Sequence, residues 1–148
     1  DWGIDALEKA AEGLQCKTAV HICYGYGIQE NINWKKTLGE NWNQYQKIFP
    51  LLNKSTLNQI SLEFAGSKVP PSLMRLLPDK ELMVGVITVV ADELETPEDV
   101  KKNILSALKY VDYERLIPCS NCGMAPLPEQ IAIDKIKALG QGTLLASK

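Results

Sequence analysis

The residues best suited to chemistry in this chain are a lone histidine and four cysteines. His21 and Cys23 stand two apart in the apolar, β-branched run Thr18-Ala-Val-His-Ile-Cys-Tyr24. Such a run reads as a buried strand, where residues i and i+2 project to the same side. A neutral imidazole and a thiolate then point together, and both are zinc ligands. Glu63 ends a second apolar run, Gln59-Ile-Ser-Leu-Glu-Phe64, and Cys122 lies just beyond a later one, Arg115-Leu-Ile-Pro-Cys119. All four residues fall at strand C-terminal ends, where α/β sheets and barrels place their sites. Each residue taken singly has an ordinary structural reading: a satisfied core histidine, small apolar cysteines, a solvated glutamate.

Cys119 and Cys122 form a Cys-x-x-Cys pair with two further readings. The first is a redox pair, although the following Gly-Met-Ala-Pro delays the helix that usually begins at such motifs. In the second, both cysteines join His21 and Cys23 in a closed structural zinc site with Glu63 as a bystander. Pattern alone leaves the fourth ligand open between Glu63 and Cys119.

The elements that must position these residues alternate. A helix is expected over Asp5 to Leu14, then the first strand, broken by Gly25-Tyr-Gly27. The polar stretch Gln29 to Gly39 reads as a long loop. Residues 40–53 carry a helical stripe of Trp42, Tyr45, Ile48 and Phe49, with Pro50 placed to kink or end it. After the second strand, Pro70-Pro71 opens a short helix to about Leu77. A third strand is expected over Glu81 to Val90. Thr96-Pro97-Glu98-Asp99 then supplies an N-cap, a first-turn proline and capping-box spacing for a helix running to Val111. The fourth strand is Arg115 to Cys119, and a last helix runs from Glu129 to Ala146 with an interruption near Gly140 and Gly142.

Near-continuous apolar strands suit a parallel sheet covered on both faces. The fold class is therefore α/β, with four βα units in a single domain over residues 1–148. That is either a small open sheet or half of a (β/α)8 TIM barrel, which leaves two open strand edges.

Composition excludes several classes. Apolar residues make up 45% and charged residues 23%, typical of a globular domain, and the net charge of -2 gives no reason to expect nucleic acid or an anionic membrane as partner. No apolar run approaches the roughly 20 residues that span a bilayer. The start Asp-Trp-Gly-Ile-Asp shows no signal peptide and no initiator Met, so a processed chain or a fragment is expected. Four cysteines are too few for a secreted disulfide scaffold, which points to a cytoplasmic protein with reduced thiols.

Three segments in order, His21-Ile-Cys-Tyr-Gly25, Ile60-Ser-Leu-Glu63 with Ser67-Lys-Val-Pro70, and Asn121-Cys-Gly-Met-Ala-Pro126, resemble the cobalamin-independent methionine synthase family. The likeness is closer to short, single-barrel members related to its catalytic C-terminal half, and Glu95-Thr-Pro-Glu-Asp99 also fits. The resemblance implies a C-terminal half barrel, strands five to eight, with Zn2+ held by His21, Cys23, Glu63 and Cys122. It implies transfer of a methyl group to homocysteine from a 5-methyltetrahydrofolate-type or other donor, giving methionine. It further implies partnership with a missing half barrel or an accessory protein. Cys119 reads as a buried thiol beside the site, and Asn121 as a residue holding the Cys122 turn. Thr88 and Val90 stand where relatives commonly carry Asp and, in long members, His, which puts a folate donor in doubt and admits a corrinoid or partner protein. Two alternatives share the residues: another thiol alkyltransferase or lyase on the same barrel, and a non-catalytic zinc-stabilised α/β module.

Overall fold

The computed structural model describes residues 2–26, 28–40 and 42–147. Gly27 and Asn41, which fall within the expected break and the expected 40–53 helix, lie outside the described residues. The elements are α1 (Trp2–Ala11), β1 (Ala19–Ile22), α2 (Gln29–Lys36), α3 (Tyr45–Lys54), β2 (Gln59–Glu63), a 3-10 turn (Pro71–Leu76), β3 (Glu81–Ile87), α4 (Pro97–Ala107), a second 3-10 turn (Tyr113–Arg115), β4 (Leu116–Ser120) and α5 (Glu129–Ala146).

The four strands form one parallel sheet in the order β1-β2-β3-β4, so every connection is a crossover to the next strand. This is the four-unit βα organisation expected from the sequence. Register assigns the two faces. Val20, Ile60, Leu82 and Leu116 align, as do Ile22, Leu62, Val84 and Pro118, and this face meets the helices. Ile60, Leu62, Leu82 and Val84 are buried there, each contributing on the order of 1.5–3 kcal/mol of apolar burial. The opposite face aligns His21, Ser61, Met83 and Ile117, and then Glu63, Gly85 and Cys119. It carries His21 and Glu63, two of the candidate ligands. Among the described residues, β1 and β4 each have a neighbour on one side only.

Four expectations are revised. Gln29–Lys36 is a helix rather than a loop. It buries no residue, so it lacks the apolar stripe that marks helices in sequence, yet Gln, Glu and Lys are good helix formers. Glu30 in its first turn and Lys35 and Lys36 in its last favour the helix dipole. Second, β3 ends at Ile87 rather than Val90. The Thr88 N–H donates to Glu95 Oε1 (2.6 Å) and so leaves the ladder. Third, α5 runs unbroken through Gly140 and Gly142. Gly142 lies against α4, where a Cβ would come within 2.5 Å of Val100 Cβ and 2.6 Å of Pro97 O, so its lack of a side chain permits close packing. Fourth, α3 begins at Tyr45 and continues past Pro50 to Lys54, held by buried Phe49 and Leu52.

The start of α4 matches its sequence signature. Thr96 Oγ1 accepts from the Asp99 N–H, and Asp99 accepts from the Thr96 N–H, a complete capping box.

Candidate metal centre

The site assembles at the C-terminal end of the sheet. β1 delivers His21, and Ser61, its register partner on β2, shares a 2.9 Å hydrogen bond with His21 Nδ1. That contact orients the ring and leaves Nε2 as the nitrogen available to a cation. Cys23 follows one residue after β1. Gly25 then turns the chain with φ +81°, and Asn31 Nδ2 donates to Tyr24 O (2.6 Å), tying α2 to the strand end. Cys122 arrives on the turn after β4, where Ser120 Oγ donates to Cys122 O (2.9 Å). The ligand atoms of His21, Cys23 and Cys122 all lie within 4.8 Å of one another. Residues 99 positions apart thus converge, as the strand-end argument expects.

Glu63 is 3% exposed at the end of β2. Its Oε1 accepts from the Tyr24 N–H (2.7 Å) and its Oε2 from the Tyr26 hydroxyl (2.7 Å), with the Tyr45 hydroxyl at 3.5 Å. Among the described residues no lysine, arginine or histidine pairs with it. A carboxylate this buried ordinarily has a cationic partner or coordinates a metal. Burial, and then the Glu63 charge, push the Tyr26 and Tyr45 hydroxyls well above the usual phenol range, so both remain donors.

The Cys23 thiol is also pushed up. Burial is the main cause, a backbone hydrogen bond at Gly25 opposes it, and the negative charges of Cys122 and Glu63 add to it. Glu63 is not one of the three converging residues, but its charge reaches Cys23, and a divalent cation there would favour the Cys23 thiolate. The donor set therefore fits zinc: imidazole nitrogen, two sulfurs and a nearby carboxylate oxygen.

Cys119 is outside the group of three. It shares a register layer with Glu63 and Gly85, its Sγ–H donates to Ser120 O (3.3 Å), and burial lifts its thiol to about 11. Asn121 does more than hold its own turn. It is fully buried, its Oδ1 accepts from the Phe64 N–H (2.9 Å), and its Nδ2 donates to Ala65 O (2.6 Å) and to the Tyr26 hydroxyl oxygen (3.3 Å). It occupies the space over Gly85, where a Cβ would meet Asn121 Oδ1 at 2.2 Å and Asn121 Cα at 2.6 Å. The turn bearing Cys122 is thereby bolted to the strand bearing Glu63.

Sequence reasoning missed Ser61, Gly85 and Tyr45. Ser61 was within reach, since it shares a face with Glu63 two residues on; Tyr45 carried no signal beyond its apolar stripe. The aromatic residues near the site divide. Tyr24 packs on Trp34, Trp42 and Tyr45, whereas Tyr26 contacts the Glu63 carboxylate. Thr88 is engaged within the protein: its N–H donates to Glu95, and Lys135 Nζ lies 3.3 Å from its hydroxyl.

A family model described as "Cobalamin-independent synthase, Catalytic domain" matches residues 41–142, which include Glu63, Asn121 and Cys122. The chain belongs to this family. It is similar to a methionine synthase of Sulfurisphaera tokodaii (29% identity over 143 residues, 97% of this chain and 37% of that protein). One from Saccharolobus islandicus is 32% identical over 144 residues, covering 96% and 38%. Among solved structures, a B12-independent methionine synthase from Shewanella sp. W3-18-1, in complex with selenomethionine, superposes with a TM-score of 0.94 at 52% identity, covering 99% of this chain and 43% of that one. A Listeria monocytogenes protein at 19% identity and TM-score 0.55 shares the fold. The chain therefore spans well under half the length of these relatives, and its four-stranded sheet is a partial barrel. Among the described residues no helix is long and apolar enough to cross a membrane.

Proposed function

We propose that this chain carries the thiol-activating part of a zinc-dependent methyltransferase that moves a methyl group onto homocysteine, giving methionine. The observation that supports it is the convergence of His21, Cys23 and Cys122 within 4.8 Å beside a buried carboxylate, Glu63, that has no cationic partner among the described residues. When bound, zinc holds a substrate thiol as its thiolate at neutral pH, the form able to attack a methyl group. His21 presents Nε2 because Ser61 holds Nδ1. Cys23 and Cys122 supply two thiolates. Glu63 would be the fourth, exchangeable ligand, and the Tyr24 N–H and Tyr26 hydroxyl hold its carboxylate beside the three converging residues.

The selenomethionine complex of the Shewanella relative supports a sulfur amino acid as one substrate. The methyl donor is of the 5-methyltetrahydrofolate type or another, such as a corrinoid, and a complementary half barrel or an accessory protein completes the pocket. Free cysteines throughout suit the cytoplasm. Zinc-edge X-ray absorption with added homocysteine tests the reading. The wild type should exchange an oxygen ligand for sulfur, and Glu63→Gln should lose that exchange; an unchanged exchange in the variant removes Glu63 from the role. Methionine formation across a panel of methyl donors then identifies the second substrate.

A further inference from the structure

A second concavity, of about 460 Å3, opens beside the metal centre. Tyr26 is the wall between them: its hydroxyl binds Glu63, and its ring lies beneath Lys35 Nζ, 4.2 Å from the ring centre. The remaining wall is apolar, from Trp42, Val89, Val90 and Pro126 among others, but its charge is one-sided. Lys35, Lys36 and Lys68 line it, and no acidic side chain does among the described residues. Lys35 Nζ donates to Gly25 O and also lies 5.8 Å from the Trp42 ring. Lys68 reaches only Glu40 (2.9 Å), an exposed pair of little strength. Lys36 has no hydrogen-bond or ion-pair partner among the described residues. Low-dielectric walls concentrate such a field within a concavity.

A separate observation points the same way. Trp42 is 8% exposed, and its indole N–H is the lone buried side-chain polar atom without a hydrogen-bond partner among the described residues. A native fold seldom leaves such a donor unpaired, and an acceptor arriving with a ligand would satisfy it.

We infer that this pocket binds an anionic ligand, carboxylate or phosphate, whose apolar or aromatic body lies against Tyr26 and Trp42. Its size suits a small organic molecule. Naming that ligand the methyl-transfer co-substrate rests on the proposed function; the anion selectivity does not. Within the pocket, Lys36 and Lys68 meet the charge while the aromatic wall takes the body, so the ligand approaches the metal centre across Tyr26.

Isothermal titration of the intact protein with 2-naphthoate, 2-naphthyl phosphate and uncharged 2-naphthamide tests this. At least one charged probe should bind saturably, about tenfold or more tighter than the amide. The better of the two identifies the anion as carboxylate or phosphate. The exposed double variant Lys36→Gln with Lys68→Gln should weaken the charged probe about tenfold and leave the amide unchanged. Equal binding of charged and neutral probes, or a double variant that binds the charged probe like wild type, overturns the inference. The zinc-edge response to homocysteine, measured on the same samples, separates the two readings. If it fails while charge-selective binding persists, the methyl-transfer reading falls and the pocket stands; if it persists while selectivity fails, the pocket falls alone.

Discussion

The two sides of the metal centre are built differently. Glu63 stands on the sheet centre, where Leu62, Val84, Val86 and Ile87 are buried, and the Cys122 turn, although it follows the edge strand β4, is tied to that centre because buried Asn121 spans Gly85 to reach the backbone of Phe64 and Ala65. His21 and Cys23 come from β1, an edge strand in which no residue is fully buried. That edge takes its order from the centre, through Ser61 on His21 and Glu63 on the Tyr24 N–H. The comparison teaches a direction of dependence. Damage at the centre should disorder both sides, while damage at the edge should cost metal and leave the fold standing.

The strongest way to break the comparison lies behind the centre. Lys135 on α5 is 0% exposed, and its Nζ meets Glu95 Oε2 at 2.6 Å and also donates to Glu93 O. Glu95→Gln leaves that ammonium without its charge partner, and chemical denaturation should show a loss of about 3–5 kcal/mol. The pair also fixes an acid response. Burial raises the Glu95 carboxyl, but hydrogen bonds from Lys135 and the Thr88 N–H outweigh it, so its folded pKa lies below the ordinary carboxylate value. A depressed folded pKa gives stability that is present above the unfolded value and lost as pH falls through the folded one. Wild type should therefore weaken below the ordinary carboxylate range, and Glu95→Gln should show a flatter acid limb in denaturation series.

A middle-sized effect is expected at Gly85. Alanine there drives a Cβ into Asn121, and thermal or denaturant melts should show a loss of about 3 kcal/mol, together with weaker metal retention. Gly140→Ala is the matched control. Nothing lies within 4 Å of its added Cβ, and helix propensity alone should stabilise α5 by about 0.5–1 kcal/mol. The smallest change in stability belongs to the edge. His21→Ala should cost less than about 1 kcal/mol, since the residue is exposed, yet lower zinc affinity more than about a hundredfold in competition with a chelator. A large loss of stability in His21→Ala would erase the distinction between the two sides.

Much of this arrangement is legible in local pattern. The capping box at Thr96, the four βα repeats and the same-side pairing of His21 with Cys23 follow from spacing alone. What is hidden depends on contacts far apart in the chain. α2 gives no apolar stripe because it covers nothing in the core. Gly142 reads as a breaker until α4 is seen against it, and the end of β3 is decided by a carboxylate seven residues on. Asn121 reads as a local turn former, but its partners lie 56 and 57 residues away. Glu63 is placed among the candidate ligands by its strand-end position, but taken singly it reads as solvated, and its burial shows only in the packing of Tyr26 and Tyr45 around it.

The deciding measurement is zinc content by elemental analysis after extensive dialysis, on wild type and on Cys122→Ser. The metal-centre account predicts about one zinc per chain in the wild type and its loss in the variant. A folded wild type without zinc, or a variant that keeps it, would contradict a metal centre built from His21, Cys23 and Cys122 with Glu63.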